Sequence, residues 1–238
     1  LEAMRAVSSV RAAVIVTTDK VYENREWVWP YREYDRLGGR DPYSNSKACA
    51  ELVTSAYRAS FFAGGAAIAT ARAGNVIGGG DWAKDRLVPD LMRAFSRGET
   101  AVIRNPAAIR PWQHVLEPLH GYLMLAEALL EKDGFADAWN FGPYENDVHP
   151  VRSIADALVR KWGDGAGWAQ DEGSHPHEAM TLQLDSTRAR TRLGWSPRLS
   201  LHTTLEWIVA WHKQYLAAPE SAREVTLRQI EEYEALAA

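Results

Sequence analysis

The sequence predicts an α/β protein: part of a doubly wound parallel sheet, with a smaller C-terminal α/β lobe. Two observations carry that expectation. Short runs of β-branched or small residues without polar interruption suit strands buried on both faces, and they alternate with longer stretches of helical pattern, several of them closed by glycine. The 238 residues, 46% hydrophobic and 24% charged, can bury a sizeable core and fall between one large domain and two smaller ones.

Taken in order, residues 1–7 have helical composition with no cap and no initiating Met, so the chain is expected to start inside a helix, its upstream part not included. Residues 12–18 form the first buried strand. Asp19 and Lys20 stand at its carboxyl end, where open α/β sheets bind their ligands. A loop rich in aromatics and charge follows, and Pro42 opens a helix that runs to about residue 63 and ends at Gly64-Gly65. Residues 66–71 are a second strand. The stretch Gly74 to Gly80 has neither Gly-x-Gly-x-x-Gly spacing nor an immediately following helix, so it reads as a flexible crossing into a second lobe.

Beyond it the pattern gives a helix at 86–97, strands at 101–104 and 111–115, a helix at 116–131 and a strand at 138–141. A helix at 151–162 precedes a weak segment, a strand at 182–184, and a short helix at 187–193 capped by Asp185 or Ser186 and ended by Gly194. Helices at 201–217 and 220–237 finish the chain. The expected division is 1–74 plus about 111–144 for the sheet-bearing part, and 75–110 with 145–238 for the second lobe.

Composition excludes several classes. A net charge of −4 gives no broad footprint for nucleic acid, which needs clustered Lys and Arg. The single Cys49 can form no internal disulfide and fits a reducing cytoplasm. No apolar run approaches the roughly 20 residues of a membrane span. His175, His177 and Glu178 have no identifiable partner ligand and read as a solvated loop, so no metal is expected.

Chemistry is expected at Tyr43 and Lys47. Four residues apart in the first turns of a helix, they share one face. An ammonium beside a phenol favours the phenolate and so makes a general base. With nine tyrosines in the chain, the spacing alone is weak, and a surface pair is its plain alternative. Position strengthens it: the helix follows a strand ending in Thr18, Asp19 and Lys20, so five polar groups can converge. For Asp19 and Lys20 the bland reading is a surface ion pair.

The motifs Thr17-Thr18-Asp19-Lys20-Val21-Tyr22, Asp41-Pro42-Tyr43-Ser44-Asn45-Ser46-Lys47, Arg72-Ala73-Gly74-Asn75-Val76-Ile77-Gly78 and Arg110-Pro111-Trp112-Gln113-His114-Val115 occur in the order found in a known family. The chain resembles the extended short-chain dehydrogenase/reductases, and within them the sugar-nucleotide 4,6-dehydratases. Many of these carry Glu where this chain has Lys20. That replacement, the insertion at 23–33 and the segment 105–112 resemble the branch that acts on CDP-glucose.

The resemblance implies a Rossmann-like fold, of which residues 1–74 and about 111–144 are the C-terminal half of the dinucleotide-binding domain. It implies NAD as cofactor, with Tyr43, Lys47, Arg72 and Gly74 near it, and a nucleotide-sugar substrate, CDP-glucose, met by Asn75, Arg86 and Arg110. The activity implied is that of a lyase. Tyr43, aided by Lys47 and Thr18, takes the C4 hydroxyl proton; Asp19 is the acid that releases the C6 hydroxyl as water. Lys20 is the C5 base, or acts through a water, or stabilises the enolate. Trp82 and Trp112 are the tryptophans expected near the ligand. A homodimer is implied through the helix carrying Tyr43, where Ala48, Leu52, Ala56 and Ala59 make a small-residue stripe. Two alternatives stand beside this: another dehydratase or a 4-epimerase of the same family, and an inert sugar-nucleotide-binding fragment without the Gly-rich loop that would hold NAD.

Overall fold

The computed structural model describes residues 1–163, 165–173 and 179–236. The first half of the chain runs α1 (Glu2–Ala6), β1 (Ala12–Val16), a 3-10 turn (Asp19–Val21), α2 (Pro42–Phe61), β2 (Ala67–Ala73), β3 (Asn75–Ile77), α3 (Leu87–Ser96), β4 (Thr100–Ile103) and β5 (Ile109–His114). The second runs α4 (Leu116–Glu131), β6 (Ala138–Phe141), β7 (Val148–Pro150), α5 (Val151–Trp162), β8 (Gly167–Gln170), a π-helical turn (Ala189–Leu193), α6 (Leu201–Ala217) and α7 (Ala222–Ala235). No helix among the described residues is long and apolar enough to cross a membrane. His175, His177 and Glu178 lie outside the described residues.

The chain folds as two compact units. The first comprises Leu1–Gly74, Glu117–Pro143 and Leu182–Ser196. Its sheet is parallel, in the order β1-β2-β6, with Ala12 opposite Ala67 and Ala73 opposite Phe141 at the two ends of the ladders. The alternation of β2 decides what each helix meets. Ala69 and Ala71 face a core built with Leu125, Leu129, Phe141 and Trp195 on the α4 side. Thr70 and Arg72 face the other way and bond to Glu51 of α2. Helices therefore cover both faces, as a doubly wound sheet requires. At Gly121 of α4 a Cβ would come within 2.4 Å of the Phe141 ring, so only glycine lets helix and sheet approach this closely.

Residues 182–196 were expected in the second lobe but belong to this unit, because Leu182 and Leu184 pack with Val21, Tyr22, Tyr31 and Ala48. The expected strand at 182–184 is reduced to one isolated bridge, Tyr31 with Leu184.

The second unit comprises Asn75–Leu116, Tyr144–Thr181 and Pro197–Ala238. Here β5 lies between β3, which it pairs in parallel, and β7, which it pairs antiparallel; β4 and β8 form a separate parallel pair. Those bonds bring residues 111–116 into this unit rather than the first. Its core joins α3, α5 and α6 through Leu91, Met92, Ile154, Leu158, Leu205 and Ile208. The expected flexible crossing at 74–80 contains the short strand β3, and Gly79 lies against Trp211, where a Cβ would sit 2.2 Å from the indole.

Candidate active site

In the first unit, β1 ends at Val16 and the backbone is held one residue further by Thr17 N–H donating to Ala71 O at 2.8 Å. Thr18 then caps the 3-10 turn, its hydroxyl accepting from Lys20 N–H and donating to Asp19 Oδ1 at 3.0 Å. This buries Asp19 to 3% exposure and leaves Lys20 exposed. The tip is thus ordered by its own side chains at the carboxyl end of a buried strand.

The helix bearing Tyr43 starts where the sequence says it should. Asp41 accepts from Ser44 N–H at 3.0 Å, Pro42 takes the first turn, and Ser44 Oγ donates to Asp41 at 2.5 Å. The Ser44 bonds hold the Asp41 carboxyl below its usual range, with a smaller contribution from Lys20. Tyr43 is half exposed and Lys47, one turn on, is partly buried. The ammonium of Lys20 lies 5.9 Å from the centroid of the Tyr43 ring, which brings the strand tip and the phenol to one place.

Beneath them is a buried network that sequence reasoning missed. Glu51 continues the step from Tyr43 and Lys47 along α2, and its carboxylate accepts from Thr17 Oγ1 at 2.5 Å and Thr70 Oγ1 at 2.6 Å. It also takes a two-pronged pair from Arg72, at 2.9 Å from Nε and 2.8 Å from Nη2. Burial alone would raise the Glu51 pKa; the bonds and charge of Arg72, with the two threonines, outweigh it and hold it low. Arg72, expected beside the cofactor, is turned inward instead: its Nη1 donates to Tyr22 Oη and Glu33 O, and its side chain is 3% exposed. The signal was present in β2, where one arginine among alanines needs a buried anion.

In the second unit, Asn75 sits opposite Trp112 in the β3–β5 ladder, and Gly74 closes the first unit just before it. Arg110 is buried, its guanidinium donating to the carbonyls of Ile109 and Ala179. Arg86 is the more open of the two, 65% exposed and 3.4 Å from Asp81. Trp112, expected near the ligand, is instead buried with its indole N–H on His149 O. Trp82 is half exposed and packs with Trp211, His212 and Tyr215.

The family model described as GDP-mannose 4,6 dehydratase matches residues 1–208. The chain belongs to the GDP-mannose 4,6 dehydratase family. Among its relatives, the CDP-glucose 4,6-dehydratase of Salmonella typhimurium is 51% identical over 237 residues, covering 95% of this chain and 66% of that protein. The dTDP-glucose 4,6-dehydratase of Bacillus anthracis, solved in complex with NAD, matches 89% of this chain and 64% of its own, with a TM-score of 0.70 at 18% identity. The UDP-glucuronic acid 4-epimerase of Bacillus cereus, in complex with UDP-glucuronic acid and NAD, matches 90% and 64%, with a TM-score of 0.77 at 21% identity. At such identities the likeness is one of fold, and that fold is Rossmann-like. The chain spans about two thirds of the length of each of these three proteins.

Proposed function

We propose that this chain is the catalytic and substrate-binding part of a lyase that converts CDP-glucose to CDP-4-keto-6-deoxyglucose. The observation that carries the reading is the approach of Lys20 to the Tyr43 ring, since it joins the acid-bearing strand tip to the helix face of the phenol and amine. The 51% identity to a CDP-glucose 4,6-dehydratase, which includes the region of these motifs, supports the choice of nucleotide.

The residues divide the work as follows. Tyr43 accepts the C4 hydroxyl proton, assisted by Thr18 from the strand tip and by Lys47 one turn along α2. NAD, when bound, supplies the hydride acceptor for C4 and the donor for C6. The Tyr43–Lys47 face, half open, fits that partner; the buried Arg72 does not. A ketone at C4 makes the C5 hydrogen acidic; Lys20, as the neutral amine, takes that proton directly or through a water and returns it to C5 when hydride reaches C6. Asp19 gives its proton to the C6 hydroxyl as the C6–O bond breaks and water leaves. It stands 3% exposed on the ordered strand tip, its Oδ1 accepting from the Thr18 hydroxyl. Asn75, Arg86 and Arg110 meet the sugar diphosphate, where guanidinium groups match phosphate oxygens. The protein acts as a homodimer in the cytoplasm, a reading with which the lone free Cys49 is compatible.

The full-length protein incubated with NAD and with CDP-, dTDP-, UDP- and GDP-hexoses, each followed by mass spectrometry and by proton NMR of the sugar, tests this. Loss of one water from CDP-glucose alone is expected. A product of unchanged mass and altered configuration would mean a 4-epimerase, for which Asp19 and Lys20 have no use; no change in any of the four would overturn the dehydratase reading.

A further inference from the structure

Glu51 lies under the site but touches none of the groups that do its chemistry. It stands eight residues beyond Tyr43 on α2, at the second step of the same i, i+4 series, about 12 Å along the helix axis at 1.5 Å per residue. Fixing its azimuth therefore fixes those of Tyr43 and Lys47. Its carboxylate is held by four donors from two strands: Thr17 at the end of β1, and Thr70 and both prongs of Arg72 in β2. The bond to Thr17 differs from the others, because Thr17 immediately precedes Thr18 and Asp19.

Stability alone gives a weak reason for the arrangement, since buried ion pairs are often replaceable by apolar residues without loss. A register function gives a better one. We propose that Glu51 is a positioning residue of the site: through Thr17 it locks the tip of β1 to α2, so that Tyr43 and Lys47 stay in register with Thr18 and Asp19. The proposal rests on the reading of the site given above. The network continues outward, since Arg72 also binds Tyr22 Oη and lies over the Tyr22 ring, and Tyr22 stacks on Tyr31 at 5.0 Å. The loop beyond the tip is thereby tied to the same carboxylate.

Two threonines make the test, because each donates one bond of nearly equal length to Glu51, Thr17 adding only a longer one to Ala71 O at 3.4 Å, and neither substitution breaks the Glu51–Arg72 pair. Thr17→Val removes the link to the tip. Thr70→Val removes a link to the middle of β2. In the full-length protein with NAD and CDP-glucose, Thr17→Val is expected to lower kcat by roughly ten- to a hundredfold with KM within about twofold, as displacement of reacting groups by an ångström does. Thr70→Val is expected to keep kcat within about twofold while losing as much thermal stability as Thr17→Val. Equal kcat in the two variants, whether both fall or neither does, overturns the positioning role. Tyr43→Phe in the same series separates the two claims. Turnover that survives it, or that is absent from the unsubstituted protein, overturns the reading of the site and the inference with it.

Discussion

His114 closes β5 with its imidazole buried, Nδ1 accepting the Leu116 N–H at 3.3 Å and the ring edge-on to Trp207. Burial pulls its pKa down from 6.5 to about 4. A folded-state pKa below the unfolded one means that the unfolded chain binds the extra proton, so this contribution to stability is complete above pH 6.5 and drains away as pH falls towards 4. The loss is about 3 kcal/mol, and His212, also pulled down by burial, acts in the same sense. The melting temperature is expected to fall across that window, and His114→Asn, whose side-chain oxygen can still accept the Leu116 N–H, to flatten the fall. A slope in the variant as steep as in the parent contradicts the assignment. At this scale the sequence is legible where local geometry decides. Tyr43 and Lys47 share a face because any helix gives that face to residues four apart. Arg72 is not legible from its type, which suits a phosphate as well as a carboxylate; the burial of β2 on both faces assigns it to Glu51.

Among elements, α2 is the one whose sequence and structure agree most fully. Asp41, Pro42 and Ser44 start it by capping chemistry alone, and the tight approach of Gly39, where a Cβ would lie 2.0 Å from that of Ser44, fixes the chain's entry. The small-residue stripe divides: Ala48 is buried in its own unit, whereas Leu52, Ala56 and Ala59 face outward, with Val53 and Phe61 also exposed. An exposed helix face of this kind supports the proposed homodimer. Light scattering is expected to give twice the monomer mass, and Leu52→Arg to return the monomer; a monomeric parent contradicts it. Elsewhere, helices 116–131 and 151–162 fall where their patterns predict because each carries its own buried stripe. The strands β7 and β8 escape. Gly167-Trp168-Ala169-Gln170 has no β-branched residue, and β8 exists only because β4, far upstream, supplies its ladder.

At the scale of the whole molecule, the order of strands and helices suffices for the fold class but not for the division into units. Residues 182–196 return to the first unit through Leu182 and Leu184, a long-range packing choice that no local pattern encodes. The site reading has the opposite character: its catalytic members, Thr18, Asp19, Lys20, Tyr43 and Lys47, all lie in that one unit, on a strand tip and a helix start close in sequence. The central claim is that these residues run an oxidation, an elimination and a reduction on a single hexose without net redox change. CDP-glucose deuterated at C4, supplied to the full-length protein with NAD in ordinary water, tests it most directly. The account predicts a 4-keto-6-deoxy product carrying that deuterium at C6; a product whose label has been lost to water would contradict it.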